Sequence, residues 1–163
     1  MEFGVLGPLE VTADGRSLEL AGARARAVLA VLLVHANQVV SSDRLIEELW
    51  PGHAADKAAD SLQVRLSELR KALRSVGEGD RLATRPPGYL LRVTPGELDA
   101  RRFERLAAAG NVVLAGGDPT TAAQHFEQAL SLFVAWACAG RPGRGAFGPR
   151  GGGPIGGRAA GRA

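Results

Sequence analysis

The first twenty residues alternate between apolar and polar positions, which is the period of a β-strand with one buried face. The alternation runs through residues 3–11 and returns at 17–20. Between these stretches, Ala13-Asp14-Gly15 has the residue types that form tight turns. The pattern predicts a small antiparallel sheet at the start of the chain.

Apolar residues then recur every three or four positions, which is the period of an α-helix with one buried side. Residues 23–36 form the first such segment. The second begins at Ser41 or Ser42, either of which is a good N-cap, and ends before Pro51; the third spans about 58–75. The expected buried positions of the first two helices are Ala25, Val28, Leu29, Leu32, Leu33, Ala36, Leu45, Ile46 and Leu49.

Strand alternation reappears over residues 81–93, where Pro86-Pro87-Gly88 supplies the turn of a predicted hairpin. Two further helical segments follow, at about 99–114 and 119–133. The predicted order is therefore a small sheet, three helices, a hairpin and a helix pair.

The third helix has two contrasting sides when its residues are spaced at about 100°. One side is a narrow leucine stripe at positions 62, 66, 69 and 73, which must face a core. The other side suits either a plain amphipathic surface helix or a helix that enters the major groove of DNA. This outer arc consists of Gln63, Val64, Ser67, Glu68, Arg70, Lys71 and Arg74, with Arg65 on its flank.

Charge is spread unevenly along the 163 residues, whose net charge is +3 and whose pI is near 9.7. Residues 1–133 contain 15 basic and 17 acidic side chains, whereas residues 134–163 contain five arginines and no acid. The overall pI is therefore a property of the last thirty residues. Within 57–92, however, eight basic residues outnumber four acidic ones, and Arg85 lies at the hairpin tip. That local excess favours contact with nucleic-acid phosphates.

The order of two helices, a basic helix and a β-hairpin is that of a winged helix-turn-helix. Residues 39–50, 62–73 and 84–89 resemble the DNA-binding domain of OmpR/PhoB-type regulators. The opening at 3–11 and the Arg-Pro-Pro-Gly-Tyr wing at 85–89 are more narrowly similar to the Streptomyces antibiotic regulatory protein (SARP) family. This resemblance implies an α+β winged helix followed by an all-α bacterial transcriptional activation domain.

The resemblance also implies roles for individual residues. It matches Val64, Arg65, Ser67, Glu68 and Lys71 to the positions of a recognition helix that face DNA. A second set matches positions that contact the DNA backbone or the groove edge, some of them from the wing. These residues are Arg44, Trp50, Arg70, Arg74, Arg85 and Tyr89.

Three of these residues have alternatives. Trp50 and Tyr89 suit packing against the core as well as they suit contact with DNA. Glu68 stands where relatives carry a basic residue, and it could either accept a hydrogen bond from a cytosine amino group or pair with a nearby arginine.

The last two helices place small residues at Gly110, Ala122 and Ala129 around Phe126, at offsets typical of a tetratricopeptide-like helix pair. Such repeats bury their faces by stacking, usually in sets of about three or more. A single pair therefore predicts a truncated activation domain with exposed apolar surface. The predicted domains are a winged helix at 1–96, a helical activation domain at 97–133 and a tail at 134–163.

The tail is mostly Gly, Arg, Pro and Ala, a composition that cannot bury enough apolar surface to offset its ordering entropy, so we expect it to be disordered. GC-rich DNA translated in a shifted frame has the same composition, a hypothesis that the nucleotide sequence tests. The G-x-G-x-x-G letters at 143–148 lack the preceding strand and following helix of a dinucleotide site.

The sequence contains no metal-ligand, nucleophile or phosphate-loop motif, so we expect no cofactor and no enzymatic activity. A lone cysteine, Cys138, and the lack of a signal peptide or long apolar run favour a cytoplasmic protein without membrane contact. The resemblance implies a nucleoid-associated activator of a biosynthetic gene cluster. Such a protein binds direct repeats in double-stranded DNA near a promoter, as a homodimer, in contact with RNA polymerase. The alternative is a truncated helical interaction module with a non-specific basic tail.

Overall fold

The computed structural model describes residues 1–20 and 22–139 of the chain. Of the predicted disordered tail at 134–163, residues 140–163 lie outside this described part, and residues 134–139 belong to the last helix. Within it, the elements follow the predicted order of sheet, three helices, wing and helix pair, which confirms the α+β winged helix followed by an all-α pair. No helix in the described ranges has the length and apolar content needed to cross a bilayer.

The N-terminal sheet consists of three antiparallel strands, β1 (Glu2–Gly4), β2 (Glu10–Ala13) and β3 (Arg16–Ser17). The two-residue turn between β2 and β3 has positive φ at both Asp14 (51°) and Gly15 (74°). Asp-Gly is the sequence that tolerates this conformation best, because neither residue pays a large steric cost there. The predicted sheet and its turn are thus confirmed.

The three helices of the winged helix are α1 (Gly22–Val34), α2 (Ser42–Leu49) and α3 (Ala55–Ser75). Ser41 is the N-cap of α2, since its hydroxyl accepts a hydrogen bond from the backbone N–H of Arg44 at 3.2 Å. This contact decides between the two serines that the sequence offered. Helix α3 begins three residues before the predicted start, because Ala55-Asp56-Lys57 contains no large apolar residue that would show the helical period.

The wing belongs to a three-stranded sheet rather than to an isolated hairpin. Its strands β5 (Leu82–Arg85) and β6 (Gly88–Leu91) pair as predicted, but β6 also pairs with β4 (Val39–Ser41), in the order β4-β6-β5. The sequence did not reveal β4, because three residues are too few to show an alternating pattern. Only the distant partner β6 makes it a strand.

One continuous core joins both sheets to the three helices. The α3 leucine stripe is its centre, with all four side chains between 0% and 2% exposed, as the helical pattern predicts. The six apolar positions predicted for α1 are buried as well, and so is Leu45 of α2, whereas Ile46 and Leu49 of α2 pack against the core while partly exposed.

The helix pair consists of α4 (Asp99–Ala115) and α5 (Pro119–Ala139). Gly110 is buried at their crossing, and Ala122 and Ala129 are 1% and 2% exposed, so the small residues lie where the helices approach. The predicted end at residue 133 was wrong, because the alanine-rich stretch up to 139 contains no glycine or proline to stop the helix. The predicted boundary at 134 therefore lies inside α5.

The helix pair is attached to the winged helix through the start of α4. The carboxylate of Asp99 accepts hydrogen bonds from the backbone N–H groups of Val5 at 2.9 Å and Leu6 at 3.0 Å. The N–H of Phe3 donates to the carbonyl of Glu97 at 2.7 Å. The N-terminal sheet therefore holds the first turn of α4 and sets its direction.

A second attachment joins the same region to the base of the wing. The Arg81 guanidinium donates to both carboxylate oxygens of Glu97, at 2.6 and 2.7 Å, and to Glu78 at 2.8 Å. Burial raises the pKa of Glu97, but the hydrogen bonds from Arg81 and Thr94 together with the arginine charge outweigh it and hold the pKa at about 2. Because the carboxylate is favoured only in the folded protein, this cluster links stability to pH.

We expect acid to weaken this attachment. A carboxylate whose pKa falls from 4.5 to about 2 on folding stabilises the protein fully above pH 4.5, and that stabilisation is lost as the pH falls towards 2. The shift corresponds to at most about 3 kcal/mol. Urea unfolding at several pH values should therefore show a weaker pH dependence for Glu97→Gln than for the wild type below pH 4.5. The same pH dependence in both proteins would show that Glu97 is not its source. Glu104→Gln is the control, because Glu104 belongs to an exposed ion pair that contributes little to stability.

Candidate nucleic-acid interface

The outer side of α3 faces solvent, as its packing requires. The leucine stripe is turned into the core, which leaves Val64 49% exposed and Ser67 and Lys71 exposed on the opposite side. A helix of 21 residues is about 30 Å long, enough to lie along a major groove.

Arg65 and Glu68, both predicted to face DNA, are paired with each other. The Arg65 Nη1 donates to the two carboxylate oxygens of Glu68 at 2.8 and 2.7 Å, and both side chains are about one-third exposed. The structure thus shows the arginine pairing that was one of the two alternatives for Glu68. A carboxylate neutralised in this way does not repel phosphates as a free one would.

Arg70 and Tyr89 hold the wing against α3. The Arg70 Nη2 donates to the Thr84 hydroxyl at 2.8 Å, and its guanidinium lies 5.7 Å from the centre of the Tyr89 ring. Gln63 Nε2 donates to the Tyr89 hydroxyl at 2.7 Å. Tyr89 is 6% exposed, so in this structure it packs against the core, which was one of its two alternatives. These contacts fix the distance between wing and helix.

The wing tip is fixed from a second direction, by the start of α2. The backbone N–H of Ser42 donates to the carbonyl of Pro87 at 3.2 Å, beside the pairing of Ser41 with Gly88. Arg85 lies at the end of β5 with its side chain exposed. The fold therefore presents this guanidinium on a rigid turn rather than on a loose loop.

Trp50 lies under the surface at the end of α2. Its side chain is 6% exposed, and the Arg24 guanidinium lies 5.4 Å from the centre of its ring while donating to the Leu49 carbonyl at 2.6 Å. Trp50 is therefore packed against the core, which was one of its two alternatives. Arg44, also predicted at the DNA backbone, is exposed and pairs with Glu48 at 2.8 Å, an arrangement that water weakens and a phosphate can replace.

Three cations of the predicted set remain available. Within the described residues, the side chains of Lys71, Arg74 and Arg85 are exposed and form no ion pair or hydrogen bond with another side chain. Two lie on the outer arc of α3 and the third on the wing tip. Together with the exposed Val64 and Ser67, they form a surface that we call the α3–wing face.

The sequence identified the exposed members of this face but not the residues that position it. Gln63 was visible on the outer arc of α3, yet its bond to the Tyr89 hydroxyl depends on the fold. Thr84 and Arg24 carry no signal along the chain, because their partners lie 14 and 25 residues away.

Two family profiles match the chain. The profile described as "Transcriptional regulatory protein, C terminal" matches residues 15–91, which include the three helices and the wing. The profile described as "Bacterial transcriptional activator domain" matches residues 98–149, which begin at the helix pair.

Two relatives that are named as regulatory proteins are similar to this chain over most of its length. The transcriptional regulatory protein EmbR of Mycobacterium tuberculosis is 37% identical over 132 residues, 80% of this chain and 34% of that protein. The regulatory protein DnrI of Streptomyces peucetius is 34% identical over 140 residues, 82% of this chain and 52% of that protein. The chain thus spans about a third of the mycobacterial relative and half of the streptomycete one.

A solved structure has the same fold. It is that of M. tuberculosis EmbR in complex with a low-affinity phosphopeptide, with a TM-score of 0.76 and 36% identity, and the match covers 81% of this chain and 35% of that one. All of the relatives named here are described as regulators, and none is described as an enzyme.

Proposed function

The chain belongs to the SARP family of OmpR/PhoB-type transcriptional regulators, and from this premise we propose that it binds specific DNA sequences through the α3–wing face and regulates transcription. The observation that carries the proposal is the division of α3 into two sides. Its leucines are buried to 2% exposure or less, and Val64, Ser67 and Lys71 are displayed beside a wing that four side chains hold in place.

The proposed binding uses two kinds of contact, one with phosphates and one with base edges. Lys71, Arg74 and Arg85 neutralise phosphates and supply most of the affinity, which is insensitive to sequence. Val64 and Ser67 contact base edges in the major groove, where a valine methyl fits against the methyl group of thymine. Arg65 joins them if it exchanges Glu68 for a guanine, since both are acceptors for the same guanidinium.

Several finer features are proposed from the family. We propose that the protein activates a biosynthetic gene cluster from direct repeats near a promoter, as a dimer on DNA and in contact with RNA polymerase, in the cytoplasm. The domain division into a winged helix at 1–96 and a helical activation domain from 97 onward belongs to the same proposal. The predicted exposed apolar surface is present on the helix pair, where Leu114, Leu130 and Phe133 are 50%, 59% and 39% exposed.

The protein-interaction alternative has support from that apolar surface, and it makes a different prediction about DNA. If the helix pair alone carries the function, residues 1–97 should not bind duplex DNA with sequence preference. Under the proposed function they should, and deletion of residues 140–163 from the whole chain should leave that preference unchanged, because the α3–wing face lies entirely within 57–92. A gel shift with a duplex selected from a random-sequence library separates the two alternatives.

We expect Lys71→Ala and Arg85→Ala to weaken DNA binding mainly through lost counterion release. Each phosphate contact contributes about 0.9 to the slope of log affinity against log salt concentration, so each substitution should lower the slope by about that amount. Fluorescence anisotropy with the selected duplex at several salt concentrations measures it. Arg16→Ala is the matched control, because Arg16 is an exposed arginine on β3 of the N-terminal sheet. An unchanged slope in both α3–wing variants would remove these residues from the phosphate contacts.

A further inference from the structure

A groove runs along one side of the helix pair, between α4 and α5. Its volume is about 490 Å³, within the range of pockets that hold small organic molecules. Leu106 and Ala109 of α4 and Leu132 of α5 give it an apolar wall. Arg102 and Arg105 stand on its α4 side.

The groove is cationic and lacks a matching anion. None of the described residues that line it is acidic. Arg102 and Arg105 form no ion pair within the described residues, whereas their neighbour Arg101 pairs with Glu104 at 2.9 Å. Residues 140–163 contain no aspartate or glutamate, so their side chains supply no carboxylate either. Arg102 and Arg105 lie three positions apart on α4, so they are neighbours on one helix face beside the apolar wall, where both can donate to an anionic group.

The imidazole of His125 adds an independent observation. It lines the same groove from α5, and its Nδ1 is a buried polar atom with no hydrogen-bond partner among the described residues. Native structures satisfy most buried polar atoms, so this nitrogen calls for a partner such as a bound water or ion. The groove therefore has an apolar wall, two arginines without an ion-pair partner among the described residues, and a histidine ring on its α5 side.

We propose that this groove binds an organic anion with an apolar body, such as a carboxylate or sulfonate attached to an aromatic or aliphatic skeleton. The anionic group lies between Arg102 and Arg105, and the apolar body lies along Leu106, Ala109 and Leu132. Arg105 also borders a second cavity, of about 360 Å³, between α4 and the segment that follows the wing. An occupant that contacts Arg105 therefore contacts a side chain that also borders the cavity next to the winged helix.

The test uses anilinonaphthalene sulfonate, an aromatic anion whose fluorescence rises on binding, with the full chain. The Arg102→Gln, Arg105→Gln double variant should weaken its binding by about tenfold, because both charge-assisted hydrogen bonds are lost. Arg101→Gln, on the same helix, is the matched control and should change the affinity by less than about twofold, since Arg101 pairs with Glu104 and does not line the groove. The neutral analogue N-phenylnaphthylamine should bind the wild type more weakly than the sulfonate.

Each alternative outcome contradicts the proposal. Equal weakening by Arg101→Gln and the double variant would show only a general effect of positive charge. Equal binding of the sulfonate and its neutral analogue would reduce the groove to an apolar patch. Ala109→Trp, which fills the groove, should abolish the fluorescence change; if it persists, the probe binds elsewhere, for example at the exposed Leu130. Unchanged thermal unfolding temperatures of the arginine variants show that lost binding is not lost folding.

Discussion

Replacing Gly88 with alanine should destabilise the protein by about 3 kcal/mol or more and abolish specific DNA binding. Gly88 is the first residue of β6 and lies against β4. A Cβ atom built at this position would be 1.9 Å from the carbonyl oxygen of Val40 and 2.7 Å from the Cα of Ser41. Both are backbone atoms of the paired strand, so no side chain can rotate away to make room. The strands must separate, and the wing loses the support that sets its distance from α3.

Urea unfolding followed by circular dichroism measures the stability, and a gel shift with the selected duplex measures the binding. Gly4→Ala is the matched control. Gly4 also lies in a strand, but its added Cβ would meet nothing closer than 3.6 Å, an ordinary contact. A Gly88→Ala protein with the stability and DNA affinity of the Gly4→Ala protein would disprove the close approach of β4 and β6.

Replacing Gly110 with leucine should separate α4 from α5 while leaving specific DNA binding in place. A Cβ atom at this position would lie 2.7 Å from the Phe126 ring, and the rest of a leucine side chain has no space at the helix crossing. Overpacking of this kind costs about 1–3 kcal/mol, of which leucine recovers roughly 1 kcal/mol through its higher helix propensity than glycine. We expect a net loss of up to about 2 kcal/mol, confined to the helix pair.

Amide hydrogen exchange distinguishes this outcome from general unfolding. The amides of α4 and α5 should exchange faster in Gly110→Leu, and those of the α3 leucine stripe should not. Ala108→Leu is the control, because Ala108 is exposed on the same helix and accepts a larger side chain without a clash. Loss of sequence-specific binding in Gly110→Leu would mean that the winged helix depends on the helix pair, against the domain division proposed above.

The two glycine variants together probe how the halves of the chain are joined. The contacts of Glu97 and Asp99 with the wing base and the N-terminal sheet attach the start of α4, not its crossing with α5. Loosening that crossing should therefore leave the attachment intact. A change in the organic-anion groove, which is formed by both α4 and α5, should by contrast follow the Gly110 substitution directly.

The sequence predicted most of the fold because its strongest signals are local. The leucine stripe of α3, the Asp14-Gly15 turn and the wing turn each have their pattern within a few residues. The strand β4 was not predicted, because it becomes a strand only by pairing with β6, which lies about fifty residues further along the chain. The end of α5 was misplaced because the predicted boundary was drawn before residues 134–139, which contain no glycine or proline to end the helix.

For the candidate interface, the sequence by itself determined which side of α3 faces outward, since four leucines at helical spacing leave only the opposite arc for solvent. It also located the local excess of positive charge on α3 and the wing. Only the tertiary structure decided which polar residues of that set are free and which are engaged. Arg65 pairs with Glu68, Arg70 and Tyr89 brace the wing, and Trp50 is buried. The physical reason is that helical periodicity gives the direction of a side chain, whereas its partners come from elements brought together by the core.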